Sequence, residues 1–162
     1  MMPILSGGGR GGGGVARVRR EALATEEQPL SQVMPVLLAG LICEVGAVDP
    51  NSGKKSLIGI FDRLTASNFP IRIAMSLYLK FTDAEGDYRF QIEFAHTESG
   101  ETAPPMESDR VHIPDRIQSY DFLVPIPAVE FPRPGRYEFR IKCNQAFLGF
   151  ITLDVIQQGG AS

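Results

Sequence analysis

A chain of 162 residues, 43% hydrophobic and 22% charged, has the length and composition of one globular domain with a packed core. Its formal net charge of −3 argues against nucleic acid as the main partner, because duplex binding needs a clustered positive face to displace counterions. The longest apolar run, residues 36–42, falls far short of a membrane span, so no membrane partner is expected.

Residues 7–14, GGGRGGGG, offer nothing to bury and lose the most backbone entropy on ordering. Residues 1–33 therefore read as a disordered Gly/Arg-containing tail. Its Arg10, Arg17, Arg19 and Arg20 stand against Glu21, Glu26 and Glu27, too slight an excess for an electrostatic anchor. The glycine run lacks the Lys-Ser/Thr pair of a phosphate loop. Met1–Leu5 is too short for the apolar region of a secretion signal, which points to a cytoplasmic protein. The composition becomes that of a folded domain at Met34-Pro35. Met34 is accordingly a candidate initiator, and 1–33 an over-extended start; the intact mass from the native host decides between start and tail. The domain then covers 34–156, with 157–162 a flexible C-terminus.

From Val36 a two-residue period takes over. Leu37, Ala39, Leu41, Cys43 and Val45 share one face, with Val36, Leu38 and Ile42 opposite. Asp49–Gly53 is turn chemistry, and Leu57–Leu64 is predicted as one strand. Ile71–Phe81 and Tyr88–Phe94 alternate cleanly and make a hairpin around Asp83–Asp87, with one buried and one wet face. The 97–119 segment has no such pattern; a bare loop that long is unusual, so a short edge strand is placed at Arg110–Ile113. Tyr120–Ile126 is a strand stopped by Pro125 and Pro127. Tyr137, Phe139, Ile141 and Cys143 face inward on another, and Phe147–Ile156 closes the domain after a turn at Asn144-Gln145. The expected fold is all-β: an antiparallel, seven- to eight-stranded, immunoglobulin-like sandwich.

Cys43-Glu44, the run Ser56-Leu57-Ile58-Gly59-Ile60-Phe61-Asp62, Phe69-Pro70 and Pro134-Gly135-Arg136-Tyr137 together resemble an uncharacterised family of small bacterial β-sandwich proteins. The resemblance covers residues 35–156. It implies bacterial origin and a β-sandwich starting near Pro35, but no assigned activity, and it transfers no catalytic or binding residue.

The chemistry-bearing residues are few. Cys43 and Cys143 are too far apart for a CxxC motif and read as buried free thiols, with an interstrand disulfide as the other option. A zinc site would need both of them together with His96 and His112, and no spacing supports it. No G-x-S-x-G pentapeptide is present, so a nucleophile elbow is not indicated. Asp83, Glu85 and Asp87 put three carboxylates in one turn and are weak calcium candidates, which would make the domain a loop-tip Ca2+- or ligand-binding module of C2-like type. Asp49, Asn51 and Gly53 start like an EF-hand but have Lys54 and Ile60 where the loop needs Gly and Glu. An acidic hydrolase or transferase site would require Glu44, Asp62 and Asp87 to converge. The leading expectation is a binding or self-association module without catalysis, cofactor or metal. Its partner is a protein or a second copy, engaged through an edge strand or through Val36, Leu38, Ile42, Leu148, Phe150 and Ile156, the apolar residues out of register with the core.

Overall fold

The computed structural model describes residues 29–159, and the compact unit that carries the strands begins at Ser31. The described residues form eleven strands and no helix. In chain order these are β1 (Val36–Val48), β2 (Lys55–Ile60), β3 (Arg63–Ala66), β4 (Ile71–Thr82), β5 (Gly86–Tyr88) and β6 (Phe90–His96). They continue with β7 (Met106–Glu107), β8 (Val111–Ile113), β9 (Tyr120–Phe131), β10 (Gly135–Cys143) and β11 (Ala146–Gln157). One sheet has the order β2-β1-β4-β9, a second β3-β11-β10-β6-β7, and β5 pairs with β8. The fold is all-β, as the alternation predicts, but it has eleven strands among the described residues where seven or eight are expected, the added ones being short segments such as β3, β5 and β7.

It is not purely antiparallel. β3 runs parallel to β11, from Arg63 beside Asp154 to Ala66 beside Gln157. The cause is a change of sheet. The single strand expected over Leu57–Leu64 breaks at Phe61-Asp62, where the chain leaves β1 and joins β11. The Phe61 N–H donates to the Ile42 carbonyl at 2.9 Å, and the Asp154 N–H donates to the Asp62 carbonyl at 3.0 Å.

Side chains of both large sheets enter one core. Met75, Leu77, Leu79 and Phe81 of β4, Phe90 and Ile92 of β6, and Tyr137, Phe139, Ile141 and Cys143 of β10 are all buried. Phe90 of the second sheet lies 4.8 Å from Phe81 and 5.1 Å from Phe122 of the first, centroid to centroid. Burial of each large apolar side chain contributes about 1.5–3 kcal/mol.

β9 continues through Pro125 and Pro127 to Phe131, past its expected end. It is an edge strand, bonded only to β4, where proline is tolerated. The strand expected at Arg110–Ile113 is present as β8, paired with β5. Asn144 and Gln145 both take positive φ, at 48° and 71°, the geometry of a tight hairpin turn.

The lead into β1 is held from Ser31, ahead of the boundary expected at Met34. The Ser31 N–H donates to the Asp87 carbonyl at 2.8 Å, and Asn144 Nδ2 donates to the Ser31 carbonyl at 3.1 Å. The buried Tyr88 hydroxyl donates to the Val33 carbonyl at 2.6 Å. The Gly/Arg-rich segment of residues 1–28 lies outside the described residues.

β1 departs most from its sequence pattern. A bulge between Leu37 and Ala39 advances the phase by one residue, so that Gly40 and Ile42 take the core side opposite Leu79 and Leu77. Ile42 is thus a core residue, 2% exposed, and Leu41 points outward. Beyond Cys43 the strand leaves β4 and pairs with β2. This second half lies over the outer face of β4 and β9. Lys55 Nζ reaches Asp121 Oδ1 at 2.6 Å, and the Tyr78 hydroxyl donates to Asp121 Oδ2 at 2.9 Å. Cys43 and Ser76, paired on that face, are buried as a result.

Candidate functional site

β2 pairs with β1 only from Cys43 onward, and β3 pairs with β11 only from Asp154 onward. Among the described residues, no strand therefore lies along the outer side of Val36–Leu41 in β1 or of Phe147–Thr152 in β11. The two open edges belong to different sheets and meet at close range. A Cβ added to Gly40 would stand 2.8 Å from Ile151 Cγ1, and one added to Gly149 would stand 3.0 Å from Leu37 Cδ2. Only glycine lets the backbones approach this near.

Between the edges opens a cleft of about 410 Å³, lined among others by Leu41, Ile60, Phe61, Asp62, Phe150 and Ile151. The strands that frame it form its rim and carry large exposed apolar side chains: Val36, Leu38 (54% exposed) and Leu41 on β1, Ile60 on β2, and Phe147 (56%) and Phe150 (52%) on β11. Phe147 and Phe150 stack with centroids 6.4 Å apart. The neighbouring charges are satisfied locally. Arg140 Nε donates to Glu138 Oε1 at 3.0 Å, and Arg140 and Lys142 both approach Glu93.

Of the six interface residues expected from sequence, Val36, Leu38 and Phe150 stand on this rim. Ile42 does not, because the β1 bulge turns it into the core. Leu148 sits at a second bulge, between Ile141 and Lys142 of β10 and their partners, and packs against the core. Ile156 is exposed but lies beside Thr65, on the stretch of β11 that β3 covers. Leu41, Ile60 and Phe147 belong to the rim and were not expected. The signal for Phe147 was the alternation restarting after the Asn144-Gln145 turn; Leu41 was hidden by the bulge.

The other candidate residues are placed apart. Asp87 accepts from His112 Nδ1 at 2.6 Å and from Arg110 Nε at 3.1 Å, and the His112 bond foremost holds its carboxyl below the usual range. Asp83 faces Arg116 at 3.7 Å, and the Glu85 backbone is bonded to Tyr88. Among the described residues no three His, Cys, Asp or Glu side chains are gathered to hold a metal. That covers Asp83, Glu85 and Asp87, the acids Glu44, Asp62 and Asp87, and the four residues Cys43, Cys143, His96 and His112.

His96 is buried and structural. Its Nδ1 accepts from the Ser99 N–H at 3.2 Å, which leaves Nε2–H to donate to the Pro134 carbonyl at 3.2 Å. Both cysteines are free and buried. Burial pushes the Cys143 thiol up to about 12 and also raises Cys43, so neither is an activated nucleophile. Among the described residues, no helix is long and apolar enough to cross a membrane.

Fold and site together define an all-β domain in which, among the described residues, β1 and β11 each leave a stretch of strand edge open, with large exposed apolar side chains along both. Residues 38–156 match the family model described as Family of unknown function (DUF6941), and the chain belongs to that family. No curated protein matches it.

Proposed function

We propose that this chain is a non-enzymatic, immunoglobulin-like β-sandwich of bacterial cytoplasm that works by binding protein at its open edge. The observation that carries the reading is the pair of free strand edges framing a cleft, with large exposed apolar side chains along the edges and Asp62 and Thr152 in the cleft's own lining. Unpaired backbone groups give a partner hydrogen bonds, and the flanking side chains give it apolar area. The sandwich is supported by the core that both sheets share. The immunoglobulin-like reading is supported by the order β1-β4-β9 against β11-β10-β6, by the parallel β3–β11 pair, and by Tyr137. Its hydroxyl donates to the Arg133 carbonyl four residues upstream at 2.5 Å, the pattern of a tyrosine corner. Two free, buried thiols support a reducing compartment.

A photo-reactive amino acid at Phe150 or Leu41, expressed in the native host, tests the reading. A discrete protein adduct is expected at both positions, and none at Ile117, which is 88% exposed on a separate loop. Adducts equal at all three positions, or absent from all, contradict it.

A further inference from the structure

We infer that the occupant of the cleft is a second copy of this chain, related by a twofold axis, with Phe147 of each copy seated in the cleft of the other. This rests on the edge being a protein-binding surface and names its partner.

Three observations favour a second copy. A twofold interface is self-complementary, so one patch must carry both the projecting and the receiving element. This patch does: Phe147 stands out beside the cleft, with Phe150 stacked between them as part of the wall. Charge is the second. The six rim residues are uncharged and Arg140 and Lys142 are already engaged by Glu93 and Glu138, so two identical rims meet without like-charge repulsion, and the charge left at the cleft is Asp62 of its lining. A nucleic acid or strongly acidic peptide finds no unpaired cationic face there. Area is the third. Six large side chains, each about half exposed, offer on the order of 500 Å² of apolar surface per copy. With the backbone and polar atoms between them, this approaches the ~800 Å² per partner of a standard interface. An aromatic anchor enclosed by neighbouring side chains is also the usual form of an interface hot spot.

The test is sedimentation velocity of the full chain from about 1 to 100 µM, a range that brackets micromolar to sub-millimolar association. The wild-type chain is expected to move to twice the monomer mass with concentration. Phe147→Glu, which removes the projecting ring, and Leu41→Lys, which charges the recess, are each expected to weaken association by about 30-fold or more. Phe147→Ala guards against a folding defect, and Ile117→Lys is expected to associate as wild type. Mixing Phe147→Glu with Leu41→Lys restores one intact ring-in-cleft contact, so the mixture is expected to associate more than either variant alone. A wild-type chain monomeric throughout overturns the inference, as does a dimer indifferent to both substitutions or a mixture no better than its parts. If the chain is monomeric while Phe150 still cross-links to a different protein, the second copy is refuted and the binding reading stands. If neither is seen, both fall.

Discussion

Gly46 of β1 lies directly against the Leu123 side chain of β9, although those two strands are not neighbours in their sheet. A Cβ at position 46 would stand 2.5 Å from Leu123 Cδ1. The contact exists because the second half of β1 folds with β2 over the outer face of β4 and β9. Lys55 and Asp121 tie down the same hairpin at 2.6 Å. Gly46→Val is therefore expected to lift the hairpin and destabilise the domain by about 1–3 kcal/mol. Urea unfolding measures the loss. Faster labelling of Cys43 than of Cys143 by a thiol reagent shows that the outer face, rather than the core, has opened.

The turn before β10 should be as intolerant. Gly135 takes φ +137°, and a Cβ there would collide with His96 Nε2. Gly135→Ala is expected to cost about 2 kcal/mol or more, since it adds backbone strain to that clash. Tyr137→Phe, which removes the hydroxyl's two hydrogen bonds with the Arg133 backbone (to its carbonyl and from its N–H), is expected to cost about 1 kcal/mol. Thermal melts of both variants check the ranking.

A chain begun at Met34 loses Ser31, its bonds to Asp87 and Asn144, and the Val33 carbonyl that the buried Tyr88 hydroxyl uses. Compared with a chain begun at residue 29, it is expected to be less stable by about 1–3 kcal/mol, because a buried hydroxyl is left without that acceptor. Melting temperatures of the two truncations give the difference. Intact mass from the native host shows which start the cell uses.

Acid should destabilise the fold through identifiable carboxylates. Burial works to raise Asp121, but the hydrogen bonds from Lys55 and Tyr78 outweigh it and hold the carboxyl below its ordinary value. Asp87 is lowered mainly by His112, Asp154 by Arg136, and Asp49 by the Asn51 N–H. A depressed folded-state value means stability that is present above the ordinary carboxylate range of about 4 and lost as pH falls through the folded value. The melting temperature is thus expected to be flat near neutrality and to fall below about pH 4. Asp121→Asn lowers stability at pH 7 and makes the acid slope shallower; an unchanged slope contradicts this assignment.

Much of the fold is legible in the sequence where one face of a strand is buried and its register is undisturbed. The alternations at Ile71–Phe81, Tyr88–Phe94 and Tyr137–Cys143 place β4, β6 and β10 and nearly all of their core residues, but the first two do not pair as the expected hairpin: Gly86–Tyr88 forms β5 against β8, and β4 and β6 lie in different sheets. The pattern misleads at β1 because the bulge at Leu38 shifts the phase, exchanging Leu41 and Ile42 between surface and core. It also misleads at Phe61-Asp62, where the change of sheet depends on bonds to Ile42 and Asp154 that leave no local periodicity. The hairpin folded over β9 left one trace. Gly46 inside an otherwise apolar strand is the mark of a close backbone approach, as are Gly40 and Gly149 at the cleft. The site was half legible. Out-of-register apolar residues pointed to β1 and β11, but which of them reach the surface is decided by two bulges.

Amide hydrogen exchange along Val36–Leu41 and Phe147–Thr152 tests the open edge most directly. In the dilute, isolated chain, the outward-facing amides of both segments should exchange far faster than those of β4 and β10. In the assembly trapped by cross-linking at Phe150, both segments should become protected together, while the loop around Ile117 stays unchanged. Slow exchange in the isolated chain would show that the edges are already covered. Protection that arises elsewhere in the assembly, and leaves these two segments as they were, would place the binding surface on another face.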